Sequence, residues 1–169
     1  EYYKLGARFA KWRAVITIGD QMPTYNCIHS NAHALARYAA LCQEIGIVAI
    51  VEPKVLMDGE FSSHDIEHCY EVTEAVLKET FQELYLAGVM LEGMVLKPNM
   101  VIPGQNSPKK AKPEEVADLT VQCLKACVPS AVPGIAFLSG GQSDIEATQH
   151  LSLMNERHDL PWNLTFSYG

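Results

Sequence analysis

Six polar side chains stand where an apolar run should exclude them. Lys11 and Arg13 are two residues apart in Phe9-Ala10-Lys11-Trp12-Arg13-Ala14-Val15. On an extended chain that spacing puts both on one face. Glu52 ends Ile47-Val48-Ala49-Ile50-Val51-Glu52, and Lys97 follows Met94-Val95-Leu96. Ser139 ends Ile135-Ala136-Phe137-Leu138 and opens Ser139-Gly140-Gly141; Ser167 ends Leu164-Thr165-Phe166. An unpaired charge is costly to bury, so these groups must be paired, wetted or used.

Two lysines and a glutamate brought into one pocket suit Schiff-base catalysis. A lysine attacks a carbonyl only as the neutral amine, and a dry site beside a second cation favours that form. A carboxylate such as Glu52 can carry protons during carbinolamine formation and dehydration. Ser139-Gly140-Gly141 offers backbone N–H groups just ahead of a helix start, the arrangement that cradles a phosphate.

Five short apolar runs must hold these groups: residues 9–18, 46–51, 94–101, 134–138 and 164–167. Each is rich in Val, Ile, Leu or Phe, as strands covered on both faces are. Helical periodicity fills the gaps, over residues 31–44, 65–86, 113–126 and 144–155. The third opens Lys112-Pro113-Glu114-Glu115, with Pro in the first turn. The fourth follows Ser143, with Glu146 three residues later as in a capping box. The order β-α-β-α-β-α-β-α-β predicts an α/β fold with a parallel sheet and right-handed crossovers. Most of the polar groups lie at the C-terminal ends of these runs, where such folds bind and react.

The 169 residues are 48% hydrophobic and 20% charged, an ordinary globular composition. A net charge of −7 argues against a nucleic-acid partner, which needs a basic face. No run of about 18 apolar residues offers a membrane span. Glu1-Tyr2-Tyr3-Lys4 shows no signal-peptide pattern.

Five cysteines without a C-x-x-C pair read as reduced thiols packed as small hydrophobes, the habit of a cytosolic protein. His64-Asp65-Ile66-Glu67-His68 matches H-x-x-E-H, the inverted zincin pattern, and His29 and His33 are also four apart. The preferred reading of residues 64–68 is a solvated helix start with Asp65 and Glu67 near its positive end. The expectation is therefore no metal.

The same segments carry a resemblance. Phe9–Arg13, Val51-Glu52-Pro53, Leu91-Glu92-Gly93-Met94-Val95-Leu96-Lys97-Pro98-Asn99, Phe137-Leu138-Ser139-Gly140-Gly141-Gln142-Ser143 and Leu164-Thr165-Phe166-Ser167-Tyr168-Gly169 strongly resemble class I fructose-1,6-bisphosphate aldolase, in the family's order and spacing. The resemblance implies a (β/α)8 TIM barrel, with residues 1–169 as a single partial barrel domain. It also implies reversible cleavage of fructose 1,6-bisphosphate to dihydroxyacetone phosphate and glyceraldehyde 3-phosphate, in glycolysis, without a cofactor. Lys97 would form the covalent imine, Glu52 would be the acid/base, and Lys11 would lie beside Lys97. Arg13 would approach the aldehyde-side phosphate. Ser139, Gly140, Gly141, Ser167 and Gly169 would hold the ketose-side phosphate. A homotetramer in the cytoplasm is implied, or in a plastid if the source is photosynthetic.

Departures accompany the match. Lys54 stands where the family has a second glutamate, and Phe61-Ser62-Ser63 reads as a short insertion. The five runs resemble the fourth to eighth barrel strands. On this reading the chain is a fragment, without the first-strand aspartate, the phosphate-binding arginine or the C-terminal tyrosine. The alternatives are a non-catalytic partial-barrel scaffold and a zinc hydrolase acting through His64, Glu67 and His68.

Overall fold

The computed structural model describes all residues except Phe61, His158 and Gly169 and, at Arg157, the backbone alone. Five strands, β1 (Phe9–Thr17), β2 (Val48–Leu56), β3 (Met94–Leu96), β4 (Gly134–Phe137) and β5 (Asn163–Phe166), form one sheet in the order β1-β2-β3-β4-β5. All neighbours are parallel. Helices α1 (Tyr25–Glu44), α2 (Ile66–Leu86), α3 (Pro113–Cys127) and α4 (Asp144–Arg157) fill the crossovers. With strands in chain order and crossovers of one hand, all four helices cover the same face. The parallel sheet is as the alternation predicted, and five successive strands of a barrel wall are as the resemblance implied.

The core lies between sheet and helices. Leu35, Ala36 and Ala39 of α1 join Ala49 and Val51 of β2, Leu77 and Leu84 of α2, and Leu96 and Ile135 in one buried cluster. Each fully buried Leu, Ile or Val side chain among them contributes about 1.5–3 kcal/mol, and each Ala less. α2 shows why its segment is helical. Cys69, Val72, Thr73, Val76, Leu77, Thr80, Phe81 and Leu84 recur every three or four residues on its buried side. The Asp65 carboxylate caps its start, accepting from the His68 amide at 3.0 Å.

Boundaries differ from the pattern in three places. α1 begins six residues early, at Tyr25, because the Thr24 hydroxyl accepts from the Cys27 amide. β2 runs past residue 51 to Leu56, since Arg13–Thr17 of β1 continue to pair with it. β3 stops at Leu96 rather than residue 101. Pro98 has no N–H with which to extend a ladder.

Candidate functional site

Register places the charged residues together. Arg13 pairs with Glu52 across β1 and β2, and Val51 pairs with Leu96 across β2 and β3. One residue on, the Lys97 amide donates to the Val51 carbonyl at 2.8 Å. Alternation turns Ala14 and Ile16 toward the helices, where they are buried. Lys11 and Arg13 therefore face the concave side, as do Glu52 and Lys97. Lys11 and Arg13 sit in mid-strand rather than at a strand end; their strand runs on to Thr17.

Glu52 is the hub. Its side chain is wholly buried. Arg13 Nε donates to its Oε1 at 2.7 Å. Lys11 Nζ and Lys97 Nζ stand 3.4 and 3.6 Å from its Oε2. No hydrogen bond of good geometry reaches Oε2 among the described residues. It is held by charge and keeps a lone pair free for a proton. Lys97 is nearly as buried as Glu52, with 7% of its side chain exposed, whereas Lys11 and Arg13 are partly open. A dry amine, a dry carboxylate and two wetter cations are the arrangement that imine chemistry asks for.

Lys54 lies two residues beyond Glu52, on the same side of β2. Its ammonium pairs with Asp58 at 3.3 Å, not with the Glu52 group. It ends beside Gly140: a side-chain carbon added there would lie 3.2 Å from Nζ. Four cations (Lys11, Arg13, Lys54, Lys97) and two carboxylates (Glu52, Asp58) leave this cluster with two formal positive charges, in a chain whose net charge is −7.

Ser139, Gly140 and Gly141 leave β4 and precede α4. Among the described residues their amides donate to no protein acceptor, so they are free for an anion. Ser143 and Glu146 form the expected capping box. The Ser143 amide donates to Glu146 Oε2 at 2.8 Å, and the Glu146 amide donates to Ser143 Oγ at 3.3 Å. The Ser143 amide and hydroxyl both donate to Glu146 Oε2 and hold its carboxyl below its ordinary value. Gly141 has φ +78°, and an added side-chain carbon would sit 2.5 Å from Met57 Cγ. Ser167 is partly exposed beyond β5, its amide bonded to the Phe137 carbonyl at 3.0 Å. Gly169 lies outside the described residues. A cavity of ≈ 890 Å³ opens among the loops after β2, β3 and β4, lined by Asp58, Lys110, Gly141, Gln142 and Ser143 among others.

Two residues gave no signal of their own. Asn99 is buried and ties three elements: its Oδ1 accepts from the Val55 amide at 2.9 Å, and its Nδ2 donates to Thr73 Oγ1 and the Met100 carbonyl at 3.1 Å each. Gln142 Oε1 takes His150 Nδ1 at 2.7 Å, and burial lowers the His150 pKa. The H-x-x-E-H segment does not gather into one ligand set among the described residues: His64 and His68 line one small cavity, and Glu67 does not. His64 is buried ahead of α2, while Glu67 and His68 are exposed on its first turn. The zinc-hydrolase alternative is thereby set aside, and Asp65 caps the helix as the solvated-start reading implies.

The model described as "Fructose-bisphosphate aldolase class-I" among glycolytic families matches residues 1–169. A Xylella fastidiosa protein named "Probable fructose-bisphosphate aldolase class 1" is 60% identical over 169 residues, covering all of this chain and 50% of its own. Arabidopsis thaliana "Fructose-bisphosphate aldolase 4, cytosolic" is 55% identical over 170 residues, covering all of this chain and 42% of its own. A crystal structure of Plasmodium falciparum fructose-bisphosphate aldolase, solved with TRAP and a small-molecule inhibitor, superposes with a TM-score of 0.94 at 50% identity, over 99% of this chain and 48% of that one. The chain spans about half the length of the curated relatives it matches. With a barrel-wall fold, a buried lysine–glutamate pair and matches along its whole length, the chain belongs to the class I fructose-bisphosphate aldolase family.

Proposed function

We propose that this chain carries the imine-forming centre of a class I fructose-bisphosphate aldolase. The observation that carries the reading is the wholly buried Glu52, with Lys97 and Lys11 on one oxygen and Arg13 on the other.

Neutral Lys97 Nζ attacks the ketose C2 carbonyl and forms a carbinolamine. Glu52 protonates the departing hydroxyl, water leaves, and an iminium remains. A base removes the C4 hydroxyl proton. The C3–C4 bond breaks, and its electron pair moves through C2 to the iminium nitrogen, giving an enamine. Glyceraldehyde 3-phosphate departs. A proton returns to C3, and water, attacking C2, frees dihydroxyacetone phosphate and Lys97. The water released in forming the imine is consumed in cleaving it. The iminium is the electron sink, so the cycle uses no metal or organic cofactor.

Lys11 holds positive charge beside Lys97, and Arg13 lies toward the aldehyde-side phosphate. Ser139, the Gly140 and Gly141 amides, Ser167 and Gly169 take the ketose-side phosphate. Lys54, ending at Gly140, supports the cationic character of that end. The substrate is thus a phosphorylated ketose. The five units act as one domain of a barrel in a cytosolic homotetramer; the Arabidopsis relative's name supports the compartment.

Borohydride reduction of the complete protein with dihydroxyacetone phosphate, followed by peptide mapping, tests this. The expected adduct is on Lys97. An adduct on another lysine sinks the Lys97 assignment, and no adduct returns the reading to a non-catalytic scaffold.

A further inference from the structure

Two histidine–glutamate pairs meet on the outer, helical face. His29 and His33 are one turn apart on α1; Glu79 and Glu83 are one turn apart on α2. His29 Nδ1 lies 2.7 Å from Glu79 Oε1 and 3.6 Å from Glu83 Oε1. Glu83 turns its other oxygen, Oε2, to His33 Nδ1 at 2.8 Å. One donor atom each from His29, Glu79 and Glu83 lies within 4.8 Å of the others. We propose that His29, Glu79 and Glu83 bind a divalent transition cation of the Zn2+ class that braces α1 against α2, with the fourth position left to water.

The geometry fits that ion. Zinc sits about 2.0–2.2 Å from imidazole nitrogen and carboxylate oxygen, so tetrahedral ligands stand roughly 3.4 Å apart. The two His29–carboxylate separations, 2.7 and 3.6 Å, bracket that value. One imidazole with two carboxylates is a donor set zinc accepts. Glu83 is the second observation. Its side chain is only 9% exposed although α2 is a surface helix, and each of its oxygens is turned to a different imidazole. Both Glu83 oxygens already face imidazoles, and a metal ion between the helices would give both glutamates one shared cationic partner. The Tyr25 hydroxyl donates to Glu79 Oε1 at 3.4 Å and helps orient it. The rings of His29 and His33 face the same way, with centroids 6.4 Å apart. On binding, the metal takes the place of the proton between His29 Nδ1 and Glu79, and that proton moves to Nε2 or to solvent.

The site is on the opposite side of the sheet from Glu52, so it is independent of the imine reading. Calorimetric titration of the chelator-stripped complete protein with Zn2+ tests it. One Zn2+ per chain is expected, with a Kd in the micromolar range or below. His29→Gln and Glu79→Gln are each expected to weaken binding at least tenfold while leaving borohydride labelling of Lys97 unchanged. Co2+ is expected to give tetrahedral visible bands without thiolate charge transfer. No Zn2+ uptake, uptake by either variant equal to that of the wild type, or cobalt–thiolate bands would each overturn the proposal.

Discussion

Lys97 and Glu52 are held 3.6 Å apart on neighbouring strands by one backbone bond, from the Lys97 amide to the Val51 carbonyl. Both side chains are buried, so each is the other's partner against desolvation. Replacing Glu52 therefore separates a chemical effect from a structural one. Glu52→Gln keeps the volume and is expected to lower kcat by about 10²–10⁴-fold, the usual worth of a positioned acid/base. Glu52→Leu leaves Lys97 buried without its counter-charge and is expected to cost about 3–5 kcal/mol in urea unfolding. Equal kcat in Glu52→Gln and the wild type would remove Glu52 from the chemistry.

Lys97→Met removes the amine and keeps an unbranched apolar stem. Imine trapping and aldol cleavage are expected to vanish together, at least about 10⁴-fold down, since the covalent route is lost. Lys11→Met keeps the nucleophile. It is expected to leave trapping measurable while slowing its rate, as followed by stopped-flow mass analysis.

Gly141→Ala tests the phosphate loop. A side chain there meets Met57 and must take φ +78°. The left-handed conformation alone costs about 1–2 kcal/mol for a residue with a side chain. The expected result is a raised KM for the bisphosphate, with borohydride labelling by unphosphorylated dihydroxyacetone less affected. A KM unchanged from the wild type would place the phosphate elsewhere.

Asn99→Ala leaves the buried Val55 amide unpaired and removes the tie to Thr73 on α2. A loss of about 1–3 kcal/mol is expected by chemical denaturation. Asn99→Asp retains the acceptor for Val55 and is expected to lose the donor to Met100.

Acid sensitivity has a defined source. Burial lowers the pKa of His64 and of His150 below the ordinary 6.5. The folded state thus binds their protons more weakly than the unfolded chain. Their contribution is present above pH 6.5 and is lost as pH falls through the lowered values. His29 runs the other way: its bond to Glu79 raises its pKa, so its contribution is present below pH 6.5 and is lost as pH rises through the raised value. Thermal melts across pH 5–8 of His64→Gln/His150→Gln are expected to show a shallower fall on the acid side than the wild type. An unchanged slope would assign the acid loss to other groups.

Much of this was legible from the chain alone, for identifiable reasons. Strands covered on both faces write themselves as apolar runs, and charges within such runs must be functional or paired; Lys11, Arg13, Glu52 and Lys97 were found that way. Sequence could not give register, which places Arg13 opposite Glu52. Nor could it give the extension of β2, whose Pro53 and Lys54 look like strand breakers until β1 is seen beside them. A lone Asn after Lys-Pro carries no periodicity, so the role of Asn99 is legible only in the tertiary structure. His29 and His33 were seen as a spacing, but their partners Glu79 and Glu83 lie 50 residues away and needed the packing of α1 on α2.

The concave cluster carries two positive charges in a chain of net −7, which leaves −9 for everything else. On the proposed function, a sugar bisphosphate would be repelled over most of this chain's surface and drawn in at the mouth of the cluster. On that proposal the cluster would act as an electrostatic funnel, filtering encounter by charge before any hydroxyl is read. Added salt, which flattens that potential within about 10 Å at 0.1 M, should slow capture of the doubly phosphorylated ketose more than that of its singly phosphorylated relative.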